Sequence, residues 1–238
     1  MPSTSTAKLR TTMVQYPGEG VTIKAFVAQP ESTKPLPAIV VIHEWWGLND
    51  HIKDIAQRFA REGYVAIAPD LYSRMGNPVT KDANEAAKLM QTLQSQHALK
   101  DLNATTRFLK SQPEVVDGWK IGGVGFCMGG TFALTQAAHN SDVKCAVVFY
   151  GQVPPTDSLK YLVAPVLFIH GAQDTWITKQ EVARLQQGLQ QFSKPGEVIS
   201  YPDAGHAFFN DTRLDAYRPK EARDAWQRVL AFLAAHLK

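Results

Sequence analysis

The chain has 238 residues, of which 45% are hydrophobic and 10% aromatic, ample material for one sizeable α/β domain. Its 25 basic residues against 22 acidic ones leave a net charge of +3, too balanced to imply a nucleic-acid or membrane partner. No apolar run of about 18 residues is present to span a bilayer, and the two cysteines, Cys127 and Cys145, do not make a disulfide framework.

Residues 1–8 are polar and lack the apolar segment of a secretory signal. They are expected to form a short disordered lead-in to a single domain over 9–238, with the reducing cytoplasm as its compartment. Leu9 to Tyr16 and Val21 to Ala28 flank Pro17-Gly18-Glu19-Gly20, the signature of an antiparallel hairpin. Pro37 to His43 is then a continuous apolar run, as expected of a strand covered by helices on both sides.

From there strands and helices alternate. Asp50 or Asn49 caps a helix with Ile52, Ile55, Ala56 and Phe59 on one face, ending at Gly63. Tyr64 to Ala68 is a buried strand, and Asp82 to about Leu109 reads as helix with a break near His97. Strands follow at Lys120–Gly125, Val143–Phe149 and Pro165–His170, then a helix at Thr178–Gln191. A strand at Glu197–Tyr201 and an amphipathic helix at Pro219–Leu237 close the chain. Alternating β and α with doubly buried strands predicts a mostly parallel sheet with helices on both faces.

Gly125-Phe126-Cys127-Met128-Gly129-Gly130 lies between the apolar run Ile121–Val124 and a helix over Thr131–His139. Glycines flanking a nucleophile at a strand-to-helix junction make a nucleophile elbow, a sharp turn whose strained central residue is lifted toward solvent. The helix N-terminus behind it favours the anionic thiolate, the reactive form of cysteine. In sheets of this kind reactive groups gather where the strands end. Asp174 sits in a tight turn after one strand, and His206 in a loop after another. The order Cys127, Asp174, His206 is that of nucleophile, acid and base in α/β-hydrolases. Backbone N–H groups of Met128, the residue after the nucleophile, and of Trp45, in the loop after the first long parallel strand, are expected to form the oxyanion hole. Trp45, Trp46, Trp176 and Phe208 flank the expected pocket.

Five blocks resemble the dienelactone hydrolases, also called carboxymethylenebutenolidases. They are His43–Gly47 (HEWWG), Ala68–Arg74 (APDLYSR), Gly125–Gly130 (GFCMGG), Gly171–Asp174 (GAQD) and Gly205–Phe208 (GHAF). The resemblance runs from about Val21 to the end of the chain. It implies the α/β-hydrolase fold and a cysteine hydrolase that opens an enol-lactone through a thioester. Cys127 would be the nucleophile, His206 the base and Asp174 its orienter. It also implies that Glu44 lies near the thiol at rest and takes its proton when substrate binds, which a carboxylate of raised pKa in an apolar pocket is able to do. His43 beside it reads as structural. Arg74 matches one of two family arginines that hold the substrate carboxylate. Arg213 is the candidate for the second, placed later than in the closest form of the pattern. The implied partner is a small carboxylate-bearing lactone or ester, with no cofactor, no metal, no nucleic acid, no membrane, and a monomeric enzyme. A broader carboxylesterase or thioesterase, or a non-catalytic ligand-binding or thiol redox-sensing protein, are the rival readings.

Overall fold

The computed structural model describes residues 8–238, so the expected lead-in lies, apart from Lys8, outside the described residues. Two compact units emerge, one ending at Ile121 and the other running from Gly122 to Lys238.

The first unit opens with β1 (Leu9–Gly18) and β2 (Val21–Pro30), an antiparallel hairpin in register from Leu9↔Pro30 to Gly18↔Val21. Both strands run further than the sequence suggests, leaving only Glu19 and Gly20 to turn the chain, with Gly20 at φ 70°. Along β2, Ile23 and Ala25 are buried while Thr22 and Lys24 are exposed, the alternation of a strand with one wet face. β3 (Leu36–Ile42) has no wet face, since Ala38 to Ile42 are all fully buried. It pairs in parallel with β4 (Val65–Pro69), which pairs antiparallel with β2.

Asn49 settles the first cap: its side chain accepts the Ile52 N–H at the start of α1 (Asp50–Arg61). The expected helix over Asp82–Leu109 is two helices, α2 (Ala83–Thr92) and α3 (Ser95–Lys110), broken at Leu93-Gln94, earlier than His97. The reason is burial. α2 covers only Ala86, whereas α3 buries a stripe containing Ala98, Leu102, Thr105 and Leu109, so the chain must turn between two different packing duties. Tyr16 joins the hairpin to α3, stacking on Phe108 at 4.5 Å and sharing a hydrogen bond of 2.7 Å with Thr105.

β5 (Val116–Phe126) leads into the second unit, which continues with α4 (Met128–His139), β6 (Val143–Phe149) and β7 (Val166–Gly171). It ends with α5 (Lys179–Gln191), β8 (Gly196–Tyr201) and α6 (Pro219–Leu237). The strand order of the eight-stranded sheet is β1-β2-β4-β3-β5-β6-β7-β8. β6, β7 and β8 are parallel neighbours, with Ala146 opposite Val166 and His170 opposite Ser200. The sheet is therefore mostly parallel, with antiparallel pairing where β2 meets β1 and β4. Leu134, Val148, Leu159, Phe168 and Leu185 anchor an apolar core in this unit. That core holds the carboxyl ends of β6, β7 and β8 in fixed relation.

Candidate active site

Cys127 joins β5 to α4 at φ 52° and ψ −118°, a backbone conformation that costs a non-glycine residue energy. Three bonds hold it there. Its N–H donates to the Phe149 carbonyl at 3.0 Å, and its carbonyl accepts the N–H groups of Gly130 at 2.9 Å and Thr131 at 3.2 Å. The glycines are needed for clearance, since a Cβ on Gly125 would run into the Gly129 carbonyl oxygen. One on Gly130 would sit 2.8 Å from the Phe149 oxygen. The cysteine is only partly buried and sits at the N-terminus of α4, whose first residue is Met128.

Asp174 stands in the turn after β7, its N–H bonded to the Gly171 carbonyl at 2.9 Å. One carboxylate oxygen, Oδ1, accepts the N–H groups of Trp176 at 2.8 Å and Ile177 at 3.0 Å. The other, Oδ2, bonds His206 Nδ1 at 2.7 Å. The loop after β8 that carries His206 is tied to this turn by Ala172 N–H to the Tyr201 carbonyl at 2.9 Å and Gln173 N–H to the Ala204 carbonyl at 2.8 Å. Asp174 and His206 are thus positioned by one joined pair of loops.

Burial would raise the Asp174 carboxyl, but the hydrogen bond and charge of His206, helped by the Ile177 and Trp176 N–H groups, hold it below its usual range. Burial would likewise lower His206. The Asp174 hydrogen bond and the neighbouring Cys127 outweigh it and lift the ring to about 10. Nε2 of His206 is buried with no close hydrogen-bond partner among the described residues, yet Cys127 lies near enough to act on the ring's charge. An imidazole held this way, with one nitrogen on a carboxylate and the other beside a thiol, is placed to exchange a proton with that thiol. Two aromatic rings complete its surroundings: buried Tyr150 at 5.0 Å and exposed Trp176 at 5.2 Å. Tyr150 adopts φ 40°, a second strained backbone beside the first.

Not every expected residue faces a substrate. Phe208 is fully buried, packed on Tyr150 and Tyr201, so it supports the site from behind rather than lining a pocket. Trp176 is 54% exposed and has surface to offer. Arg213 is half-buried and pairs with Asp215 at 2.6 Å.

The remaining candidates belong to the first unit. Glu44 is buried. Trp45 and Trp46 pack edge to face at 5.0 Å, and their carbonyls accept hydrogen bonds from the Tyr72 hydroxyl and the Thr80 N–H. His43 is structural, as expected. The Leu71 N–H donates to its Nε2 at 3.1 Å, so the proton sits on Nδ1, which donates to the Glu44 carbonyl at 2.5 Å. Burial lowers its pKa against the pull of Asp70, consistent with that neutral ring. Arg74 is already engaged: Nε and Nη2 grip the buried carboxylate of Asp101 at 3.1 and 2.7 Å, and Nη2 also donates to the Glu19 carbonyl. Sequence reasoning missed Asp101 because nothing local marks a helix residue as the partner of an arginine 27 positions away. Among the described residues no group of three or more His, Cys, Asp or Glu is arranged to hold a metal.

The dienelactone hydrolase family model matches residues 23–237. The chain belongs to the dienelactone hydrolase family. It is 36% identical over 235 residues to a Yersinia pestis protein named as a carboxymethylenebutenolidase, covering 92% of this chain and 86% of that one. A Bradyrhizobium relative, named as a 2-oxo-3-(5-oxofuran-2-ylidene)propanoate lactonase, is 37% identical over 224 residues, covering 90% and 89%. A crystal structure of a Klebsiella pneumoniae protein named as a dienelactone hydrolase superposes with a TM-score of 0.90 at 33% identity, covering 95% of this chain and 99% of that one. The fold is the α/β-hydrolase fold, and this dienelactone hydrolase family member is a hydrolase. No helix among its described residues is long and apolar enough to cross a membrane.

Proposed function

We propose that this hydrolase works through Cys127, with His206 as base and Asp174 as its orienter, and passes through a thioester. The observation that carries the reading is the 2.7 Å bond between Asp174 Oδ2 and His206 Nδ1, on a ring that Cys127 helps keep protonated. In the first half-reaction the thiolate attacks the carbonyl carbon of a lactone or ester, and the oxyanion is met by the backbone N–H of Met128 at the start of α4. Such a donor contributes about 3–4 kcal/mol to the transition state. The carbon–oxygen bond then breaks, and the leaving oxygen takes the His206 proton, which frees the imidazole to act as a base. In the second, His206 draws a proton from water, hydroxide attacks the thioester, and the acid product leaves while the thiolate is restored. Glu44 assists in activating the thiol, a role that its burial supports. Residues 9–238 form one catalytic domain, supported by the span of the family match. Two free thiols suit a cytoplasmic enzyme.

The substrate divides two readings. A carboxylate-bearing enol-lactone requires a guanidinium, which Arg74 carries beside its bonds to Asp101. A neutral ester is favoured by the way Asp101 and Asp215 already occupy Arg74 and Arg213. The test is turnover of cis- and trans-dienelactones beside neutral p-nitrophenyl esters, by wild type, Cys127→Ala and Arg74→Lys. Cys127→Ala as active as wild type would remove the cysteine from the mechanism. A loss in Arg74→Lys confined to the charged lactones supports carboxylate recognition, because lysine keeps a charge beside Asp101 but not the planar fork.

A further inference from the structure

His170 interrupts an otherwise apolar strand. β7 reads Val166-Leu-Phe-Ile-His-Gly171, every residue of it buried, and the imidazole is 1% exposed. An apolar side chain would serve burial equally well, so the ring's hydrogen bonds must account for it. Nε2 meets the Ile177 carbonyl at 2.9 Å, and Nδ1 meets the Ser200 hydroxyl at 3.0 Å on the neighbouring strand. A carbonyl only accepts, so Nε2 carries the proton. Ile177 is thereby held at both polar groups: its carbonyl by His170, its N–H by Asp174 Oδ1.

We propose that His170 is a positioning residue, locking the turn from Asp174 to Ile177 in the shape that aims Asp174 Oδ2 at His206. The carboxylate has one oxygen to spare for the imidazole only because the other is claimed by two N–H groups of this turn. Gly171 ties the near end of the turn through the Asp174 N–H. The far end has His170, immediately before the stretch where Thr178 caps α5. If Ile177 swings, the two N–H donors swing with it, and Asp174 follows them away from the ring. Ser200, opposite His170 in the sheet register, stops the imidazole from rotating off the carbonyl.

The inference rests on the Cys127–His206–Asp174 reading, and the experiment separates the two. Wild type, His170→Phe, His170→Gln, Ser200→Ala and Cys127→Ala are compared by kcat and KM on a p-nitrophenyl ester. The pH dependence of Cys127 alkylation by iodoacetamide is measured on the four that retain the thiol. His170→Phe is expected to lower kcat by about tenfold to a hundredfold, as small misplacements of catalytic groups do, with KM little changed. Its alkylation profile moves to higher pH by about one unit, since a poorly held His206 supports the thiolate less. His170→Gln, which donates a similarly placed N–H to the Ile177 carbonyl, restores most of both. A purely structural role would lower thermal stability in both variants and leave the profile where it is; that result, with kcat within about twofold of wild type, overturns the proposal. Should His170→Phe fail to fold, Ser200→Ala decides: a partial fall in kcat with the same shift supports the assignment, and wild-type values defeat it. An inactive Cys127→Ala beside an unaltered His170→Phe sinks only the role of His170. An active Cys127→Ala sinks both.

Discussion

Replacing Asp174 by asparagine tests the site with almost no change of shape. Oδ1 of Asp174 receives two backbone N–H groups, from Trp176 at 2.8 Å and Ile177 at 3.0 Å. An asparagine must keep its carbonyl oxygen there, because its NH₂ would face two other donors. The amide therefore turns its NH₂ toward His206 Nδ1, which must now accept, and the ring's proton moves to Nε2. That nitrogen is the one on the Cys127 side, and it loses the ability to take a proton. The equivalent exchange in a serine triad lowers kcat by about 10⁴-fold, or about 5.4 kcal/mol. A thiol asks less of its base, because a few per cent of it ionises unaided near neutrality. The expected loss for Asp174→Asn at pH 7 is accordingly on the order of 10²–10³-fold in kcat, with KM nearly unchanged. Raising the pH supplies thiolate without the base, so part of the deficit should close toward pH 9. The assay is steady-state hydrolysis of a p-nitrophenyl ester across pH, with thiolate followed by its ultraviolet absorbance. An Asp174→Asn enzyme within about threefold of wild type at pH 7, or one whose deficit is flat with pH, would refute this tautomer argument.

Three further outcomes follow from the same contacts. His206 sits at about 10 in the folded protein, above its unfolded value of about 6.5. Its contribution to stability is therefore complete below about pH 6.5 and disappears as pH rises through about 10. Urea unfolding of wild type and His206→Gln should show the larger gap at pH 6 and a closing gap at pH 10. Gly125→Ala forces a Cβ into the Gly129 backbone carbonyl, which no rotamer change relieves, and should cost about 2–3 kcal/mol by denaturant unfolding. Arg74→Ala leaves the buried Asp101 carboxylate without its clamp and should destabilise by about 3–5 kcal/mol; a thermal midpoint equal to wild type would show that the pair is not a structural one. Alanine at this position therefore confounds folding with binding, which is why lysine is the sharper probe of substrate recognition.

Where a signal is local, the sequence carries it. The apolar run of β6 and the proline-started stripe of α6 give their limits directly, Val143–Phe149 and Pro219–Leu237. The elbow is legible because only glycines tolerate its close approach, and Asp174 and His206 because turn residues follow buried strands. The division between α2 and α3 is not legible, since both segments have helical composition and the break depends on which face each buries. The engagement of Arg74 by Asp101, the full burial of Phe208 and the bonds of His170 are equally silent. Each depends on a partner remote in the chain, and a residue's type says nothing of who will be opposite it. Tyr150 at φ 40° is the hardest case, because its ring type argues for ordinary strand geometry.

The backbone of Cys127, held at φ 52° by its bonds to Phe149, Gly130 and Thr131, has a thermodynamic corollary. The fold would be more comfortable with glycine there, which visits that region without penalty. Whatever selection keeps a sulfur-bearing side chain at the junction does so against the interest of stability, a tension expected where reactivity has been favoured over robustness. A damaged or inert version of this protein could thus outlast the working one.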